Sequence, residues 1–200
     1  PAYSESGRPE RIFWHAMKRG AISLDDFERK FAENPDPWRT WNSRYERVKR
    51  AALGQAVGTG KYGRVLELAA GNGSNTPMLA ARSLRLTSTE GTSTGVQLVR
   101  KAAGTLPRVK ICQLALADKF PDTSYDLIVI SEVLYYLSDQ DLDGLALETA
   151  RRLRPNGALV LAHHCETFSD AARSGLNIHQ EFLRRIDASF TVEYHDRSRR

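Results

Sequence analysis

Residues 64–78, Arg-Val-Leu-Glu-Leu-Ala-Ala-Gly-Asn-Gly-Ser-Asn-Thr-Pro-Met, constrain this chain more than any other stretch. Val65, Leu66 and Leu68 form a short apolar run that reads as a buried strand. Gly71 and Gly73 allow a tight turn and let backbone approach a ligand, because neither carries a Cβ. Ser74 offers a side-chain cap to the next helix, and Pro77 falls in its first turn, where a missing N–H does no harm. Strand, glycine turn and helix start, in that order, open a βαβ unit of the nucleotide-binding type.

The glycine spacing then narrows the ligand. A dinucleotide fingerprint needs Gly-x-Gly-x-x-Gly, and its third glycine position here is Thr76. Instead Glu67 stands four residues before Gly71, giving Glu-x-Ala-x-Gly-x-Gly. That spacing resembles the first motif of class I S-adenosylmethionine-dependent methyltransferases, with Ala69 where the family usually has glycine. The resemblance implies that Ala69, Gly71 and Gly73 pass beneath the methionine and ribose of the cofactor. It implies also that Glu67 helps hold the amino-acid end.

The alternation of strands and helices continues downstream. Leu84–Glu90 reads as a second strand, and Glu90, followed by Gly91, lies nineteen residues beyond Gly71. A carboxylate there is an acceptor-only group suited to two ribose hydroxyls, of S-adenosylmethionine or of NAD. Residues 94–103 read as a helix and 108–114 as a third strand. Methyltransferases usually carry an acid just after that strand; the matching position is Leu114. Adenine would then rest on the backbone and apolar surface of Leu114, Ala115 and Leu116, with Asp118 too far along to replace the acid. Tyr125 and Asp126 open a continuous apolar strand, Leu127–Ile130, as expected of a central parallel strand covered on both faces. Ser131 and Glu132 close it on the side where such sheets bind ligands. An amphipathic helix spans 139–152, with Leu142, Leu145, Leu147 and Leu153 turned inward. Arg-Pro-Asn-Gly at 154–157 reads as the turn before a fifth strand, 158–162, and residues 190–194 read as a sixth.

Two further segments resemble one family. Asp36-Pro-Trp-x(4)-Ser-x-Tyr-Glu-x-x-Lys49 and Glu132-Val-Leu-Tyr-Tyr-Leu137 are similar to NodS-like methyltransferases. These are rhizobial enzymes that N-methylate the deacetylated end of a chitooligosaccharide. The likeness covers residues 36–165 and implies that Trp38, Ser43 and Tyr45 close the cofactor pocket. It implies S-adenosyl-L-methionine as cofactor, S-adenosyl-L-homocysteine as product, and an amine such as an amino sugar as acceptor. Glu132, with His163 or His164 at the end of the fifth strand, would orient the amine and take its proton. Tyr135, Tyr136 and His179 are the remaining candidates for the acceptor side.

The fold class expected is α/β, a doubly wound, mostly parallel, Rossmann-like sheet with N-terminal helices as a lid. Residues 1–57 would form the lid and residues 58–200 the S-adenosylmethionine-binding domain. In the lid, Pro9–Arg19 and a helix capped by Ser23 show helical spacing. The class ends in a hairpin, of which only one strand is visible, so a last strand is missing or cut off. Net charge is +5, but without zinc-finger spacing or an RNP-type aromatic motif, which argues against nucleic acid. Cys112 and Cys165 beside apolar residues suit reduced core thiols in a cytoplasmic protein, and no run is long enough to span a membrane. The two histidines lack the companions of a zinc site, so no metal is expected. An O-methyltransferase, an NAD-type oxidoreductase and a non-catalytic cofactor-binding protein are the alternatives. Oligomeric state is not legible.

Overall fold

Val65, Leu127 and Val129 face one side of a sheet while Leu66, Leu68, Ile128 and Ile130 face the other, and both sides are buried. The period of two in side-chain direction, with both faces covered, explains why apolar residues follow one another at Val65–Leu66 and Leu127–Ile130. In the computed structural model, which describes residues 22–116, 118–121, 124–165 and 169–186, five strands build this sheet. They are β1 (Tyr62–Leu68), β2 (Ser83–Glu90), β3 (Val109–Gln113), β4 (Tyr125–Ser131) and β5 (Leu153–Ala162). Their order is β3-β2-β1-β4-β5 and every pair is parallel. The order reverses between β1 and β4, so the ligand crevice opens past their carboxyl ends.

Helices cover both faces. On one, α2 (Arg44–Val57) brings Leu53 and Val57, and α3 (Thr76–Ala81) brings Leu79, onto Val65, Leu86 and Leu127. On the other, α5 (Asp139–Arg152) and α6 (Ile178–Arg185) bring Leu142, Leu145, Ile178 and Phe182 onto Leu66, Ile128 and Ile130. Burying each such side chain contributes about 1.5–3 kcal/mol. The remaining helices are α1 (Leu24–Glu33) and α4 (Ser93–Ala103).

Local chemistry sets the helix starts. Ser23 and Asp26 form a reciprocal capping box at α1. Thr92 caps α4 through the Gly95 N–H, and Glu28 of α1 reaches across to accept from the Thr94 N–H at 3.1 Å. A carboxylate at that helix N-terminus also suits its dipole.

Several sequence expectations change. Asn75, not Ser74, is the N-cap of α3, and it makes no side-chain cap bond. Leu147 faces solvent, 48 % exposed, because the helical stripe set by Leu142, Leu145 and Ala146 leaves it on the outer side of α5. The 154–157 segment is no separate turn: it belongs to β5, with a register shift opposite Tyr125 and Asn156 at φ +62°. Cys165 is exposed and Cys112 half-buried, so neither is a core thiol; both are free. The expected helix at 9–19 and strand at 190–194 lie outside the described residues. Among the described residues, no helix is long and apolar enough to cross a membrane.

Candidate functional site

A cavity of about 740 Å³ opens at the crevice. Its floor is the end of β1 and the glycine turn, from Glu67 to Asn72, with Ser74 and Asn75. Glu90 and Gly91 close one end, Leu114, Ala115 and Leu116 one flank, and Ser131 and Glu132 the other end. Above lie Trp38, Ser43 and Tyr45 together with Leu24, Phe27 and Phe31 of α1. Trp38 packs edge-on to Phe31 with ring centres 5.5 Å apart. All of the cofactor-side candidates except Gly73 therefore face one space.

Gly73 serves packing. Its φ is +78°, and a Cβ there would stand 2.7 Å from Ala102 Cβ and 3.0 Å from Val99 Cα on α4. Gly71 (φ +62°) lines the cavity, and a Cβ on it would meet only Phe31, at 3.8 Å. Ala69 also has a left-handed backbone, φ +49°, which is strained for a residue with a Cβ.

The two floor carboxylates differ in what remains open. Glu67 Oε2 accepts from Thr76 Oγ1 and Ser88 Oγ, each at 2.7 Å. Its Oε1 is buried with no partner. Burial dominates, outweighing those hydroxyls, and pushes the carboxyl up to about 7. Glu90 is pushed up by burial as well, opposed by donors from Thr92 and Gly71. Its Oε1 accepts from Thr92 N–H and hydroxyl, and its Oε2 from Gly71 N–H at 2.9 Å. Of about four acceptor positions on a carboxylate, three are in use. One hydroxyl fits directly, and a second would have to replace the Thr92 hydroxyl.

The other end of the cavity is a charged cluster. Lys49 Nζ lies 2.7 Å from Glu46 Oε2 and 3.2 Å from Glu132 Oε1. Burial raises the Glu46 carboxyl, but neighbouring His164 and Lys49 outweigh it and leave it below its ordinary value. Glu132 Oε2 accepts from the Tyr135 hydroxyl and, at 3.3 Å, from the His164 N–H. No donor is aligned on its Oε1. His164 Nδ1 is 2.9 Å from the Tyr45 hydroxyl, with the two rings stacked 4.6 Å apart. Tyr135 and Tyr136 both line the wall, their hydroxyl pKa values raised by burial first and by nearby carboxylates second.

His163 and His179 do not line this cavity. His163 Nε2 accepts from the Leu134 N–H at 3.1 Å, so its proton resides on Nδ1, 3.0 Å from His179 Nε2. Burial, then the charges of His179 and Lys49, hold its pKa well below the ordinary histidine value. The alternation of β5 explains the division: consecutive residues leave a strand on opposite sides.

Residue-type reasoning passed over Glu46, Lys49, Thr40 and Asn72. Asn72 Nδ2 donates to Asp36 Oδ1 at 2.9 Å, and the Thr40 hydroxyl to the same oxygen at 2.8 Å, tying the 36–40 turn to the glycine loop. The spacing Glu46-x-x-Lys49, one turn of a helix that starts among aromatics, was the available signal for the first pair.

The family model for Nodulation protein S (NodS) matches residues 22–190. Nodulation protein S of Azorhizobium caulinodans is 27% identical over 184 residues, 86% of each chain. That of Rhizobium tropici is 29% identical over 127 residues, 62% of this chain and 53% of its own. Among solved structures, the N-methyltransferase NodS of Bradyrhizobium japonicum WM9 in complex with S-adenosyl-L-homocysteine superposes with a TM-score of 0.65. It is 26% identical, and the match covers 69% of this chain and 71% of that one. A doubly wound sheet with its crevice, the Glu67 turn, and a match over most of the chain lead to one assignment: the chain belongs to the NodS family of S-adenosylmethionine-dependent methyltransferases.

Proposed function

We propose that this enzyme N-methylates a primary amine on a small acceptor such as an amino sugar. One observation carries the reading: the cavity wall already holds an ammonium, that of Lys49, between the carboxylates of Glu46 and Glu132. A wall with that charge arrangement suits an acceptor that arrives as a second ammonium. The NodS enzyme of Bradyrhizobium japonicum, an N-methyltransferase, supports the same choice.

The residues present fit S-adenosylmethionine. The orphaned Glu67 Oε1 is matched to the ligand's ammonium, and the remaining acceptor site of Glu90 to a ribose hydroxyl. Leu114 to Leu116 offer apolar surface and backbone groups for adenine. When bound, the cofactor supplies a methyl group already activated on a sulfonium. The chain's own task is then orientation and proton removal. Alignment of reactants can account for about 7–11 kcal/mol of barrier lowering at its upper end.

Only the neutral amine is nucleophilic. Glu132 Oε1, free of an aligned donor, takes the amine proton, while the Tyr135 hydroxyl holds Oε2 and fixes the carboxylate plane. His164, held by Tyr45, lies beside it to accept or relay that proton. Glu46 and Lys49 set the local charge. Residues 22–57, the described part of the N-terminal segment, act as a lid that excludes water, with Trp38, Ser43 and Tyr45 on its inner surface.

The test pairs a binding step with a turnover step. S-adenosylhomocysteine is titrated by calorimetry against NAD as control. Glucosamine, short deacetylated chitooligosaccharides and simple phenols are then assayed for a methylated product by mass spectrometry. Methyl transfer to the amines alone supports the proposal, and transfer to phenols alone overturns it in favour of O-methylation.

A further inference from the structure

Outside the large cavity, α2 and α3 enclose a second, more open cleft of about 610 Å³. Arg47, Arg50 and Arg82 line it, and no Asp or Glu does. None of the three guanidinium groups has a carboxylate partner among the described residues, although Arg151 and Arg152 of α5 and Arg185 of α6 each have one. Arg50 is pinned in place: Nη2 donates to Thr40 O at 3.1 Å, Nη1 to Ser74 O at 3.3 Å, and its head lies 5.9 Å from the centre of the Trp41 ring. Arg82 is the unusual member. Its Nη1 is buried and has no hydrogen-bond partner. Buried polar atoms in folded proteins are nearly always satisfied, so an orphaned cationic donor calls for an acceptor that protein atoms do not supply.

We propose that this cleft is a binding site for a tetrahedral oxyanion, a phosphate or sulfate group. Three cationic residues line one cleft that holds no acidic residue, and an anion there would balance their charge. Guanidinium forks match the spacing of oxygens on phosphate and sulfate, which a chloride ion cannot exploit. There is room for it. A Cβ on Gly58 would meet nothing within 4 Å, and one on Gly54 only Met78 Sδ at 3.9 Å. The Thr59 side chain stands at the rim as a further donor. Arg50 links the site to the cofactor turn, since the carbonyls it holds belong to Thr40 and Ser74, which line the large cavity. The assignment stands independently of which acceptor the enzyme methylates.

The experiment follows the arginine Nε–Hε signals of the full chain by ¹⁵N NMR during titration with inorganic phosphate, with glucose 6-phosphate, and with chloride at matched ionic strength. Saturable shifts with phosphate and not with chloride are expected, weakened at least tenfold in Arg47→Gln and in Arg82→Gln. Arg47 is exposed, so its variant keeps the fold even where Arg82→Gln does not, and S-adenosylhomocysteine binding checks that. Equal affinities for the two phosphates assign a free anion, and tighter binding of the ester assigns a phosphorylated metabolite. Phosphate acting no differently from chloride, or binding unchanged in Arg47→Gln, overturns the site.

Discussion

The Lys49 ammonium stands 3.2 Å from the Glu132 carboxylate, and Glu132 is held there by a left-handed backbone, φ +58°, just beyond β4. A non-glycine residue in that conformation costs about 1–3 kcal/mol, and such strain tends to be retained where it aims a functional group. Glu132→Gln keeps the shape and removes the proposed base. Turnover should fall by about 10²- to 10⁴-fold with S-adenosylhomocysteine affinity unchanged. Full turnover in this variant would remove Glu132 from the chemistry.

Lys49→Met separates the charge from the base. With the cation gone, Glu46 loses a hydrogen bond and a favourable charge that help hold its carboxyl below the ordinary value, so its pKa rises. The acidic limb of the kcat/KM profile should move up by about 1 pH unit or more. A profile that stays in place would mean that Glu46 does not govern that limb.

The adjacent histidines should respond differently. His164 touches the cavity and the Tyr45 hydroxyl, whereas His163 is bonded between the Leu134 N–H and His179 behind the wall. His164→Ala should lower kcat while leaving the melting temperature within a few degrees. His163→Ala should do the reverse, losing about 1–3 kcal/mol as the buried Leu134 N–H is left without an acceptor. Assaying both variants for activity and thermal unfolding distinguishes the two roles.

The contrast between these neighbours marks how far the chain could be read unaided. The doubly wound class and the crevice were legible because β4 is apolar from Leu127 to Ile130 and Glu67, Gly71 and Glu90 keep a fixed spacing. Which of His163 and His164 enters the crevice depends on the phase of β5. That phase is set by the register shift opposite Tyr125, which leaves no mark in composition. Lys49 and Glu46 resembled an ordinary surface pair one helical turn apart. Only the packing of α2 over Glu132 turns them inward, to 17 % and 10 % side-chain exposure. Gly73 was visible as a glycine, yet its reason, contact with Ala102 and Val99, belongs to a helix twenty-odd residues on.

That contact and the strain at Ala69 give opposite expectations for two small changes. Gly73→Ala places a Cβ against α4 at φ +78°, combining overpacking with left-handed strain; a loss of at least about 2 kcal/mol is expected. Ala69→Gly relieves φ +49°. The relief, about 1–2 kcal/mol, exceeds the extra unfolded-chain entropy of glycine, about 0.4–1 kcal/mol. The variant should melt slightly higher than the parent, which thermal unfolding of the two proteins side by side will show.

Glu67 ties stability to pH in a direction opposite to most carboxylates. Its carboxyl is pushed up to about 7 from an ordinary value of 4.5, so between those values the folded protein binds the proton and the unfolded chain has released it. Its contribution is therefore full below the unfolded value and lost as pH rises through about 7, about 3 kcal/mol in all. Buried Glu90, also raised, acts in the same sense, and buried His163, with its depressed pKa, pulls the other way below its ordinary value of 6.5, so the raw profile mixes all three. The difference between parent and Glu67→Gln isolates Glu67: the parent's advantage should shrink steadily from pH 4.5 to 7, measured by urea unfolding without ligand. With the cofactor's ammonium beside Oε1, as proposed, ligand binding reverses the preference by stabilising the ionised form. Affinity for S-adenosylhomocysteine should then rise up to about tenfold per pH unit on the approach to pH 7. Calorimetry at pH 6 in two buffers of different ionisation heat should detect nearly one proton released on binding. Glu67→Gln should release none, and equal release from both proteins would assign that proton to another group.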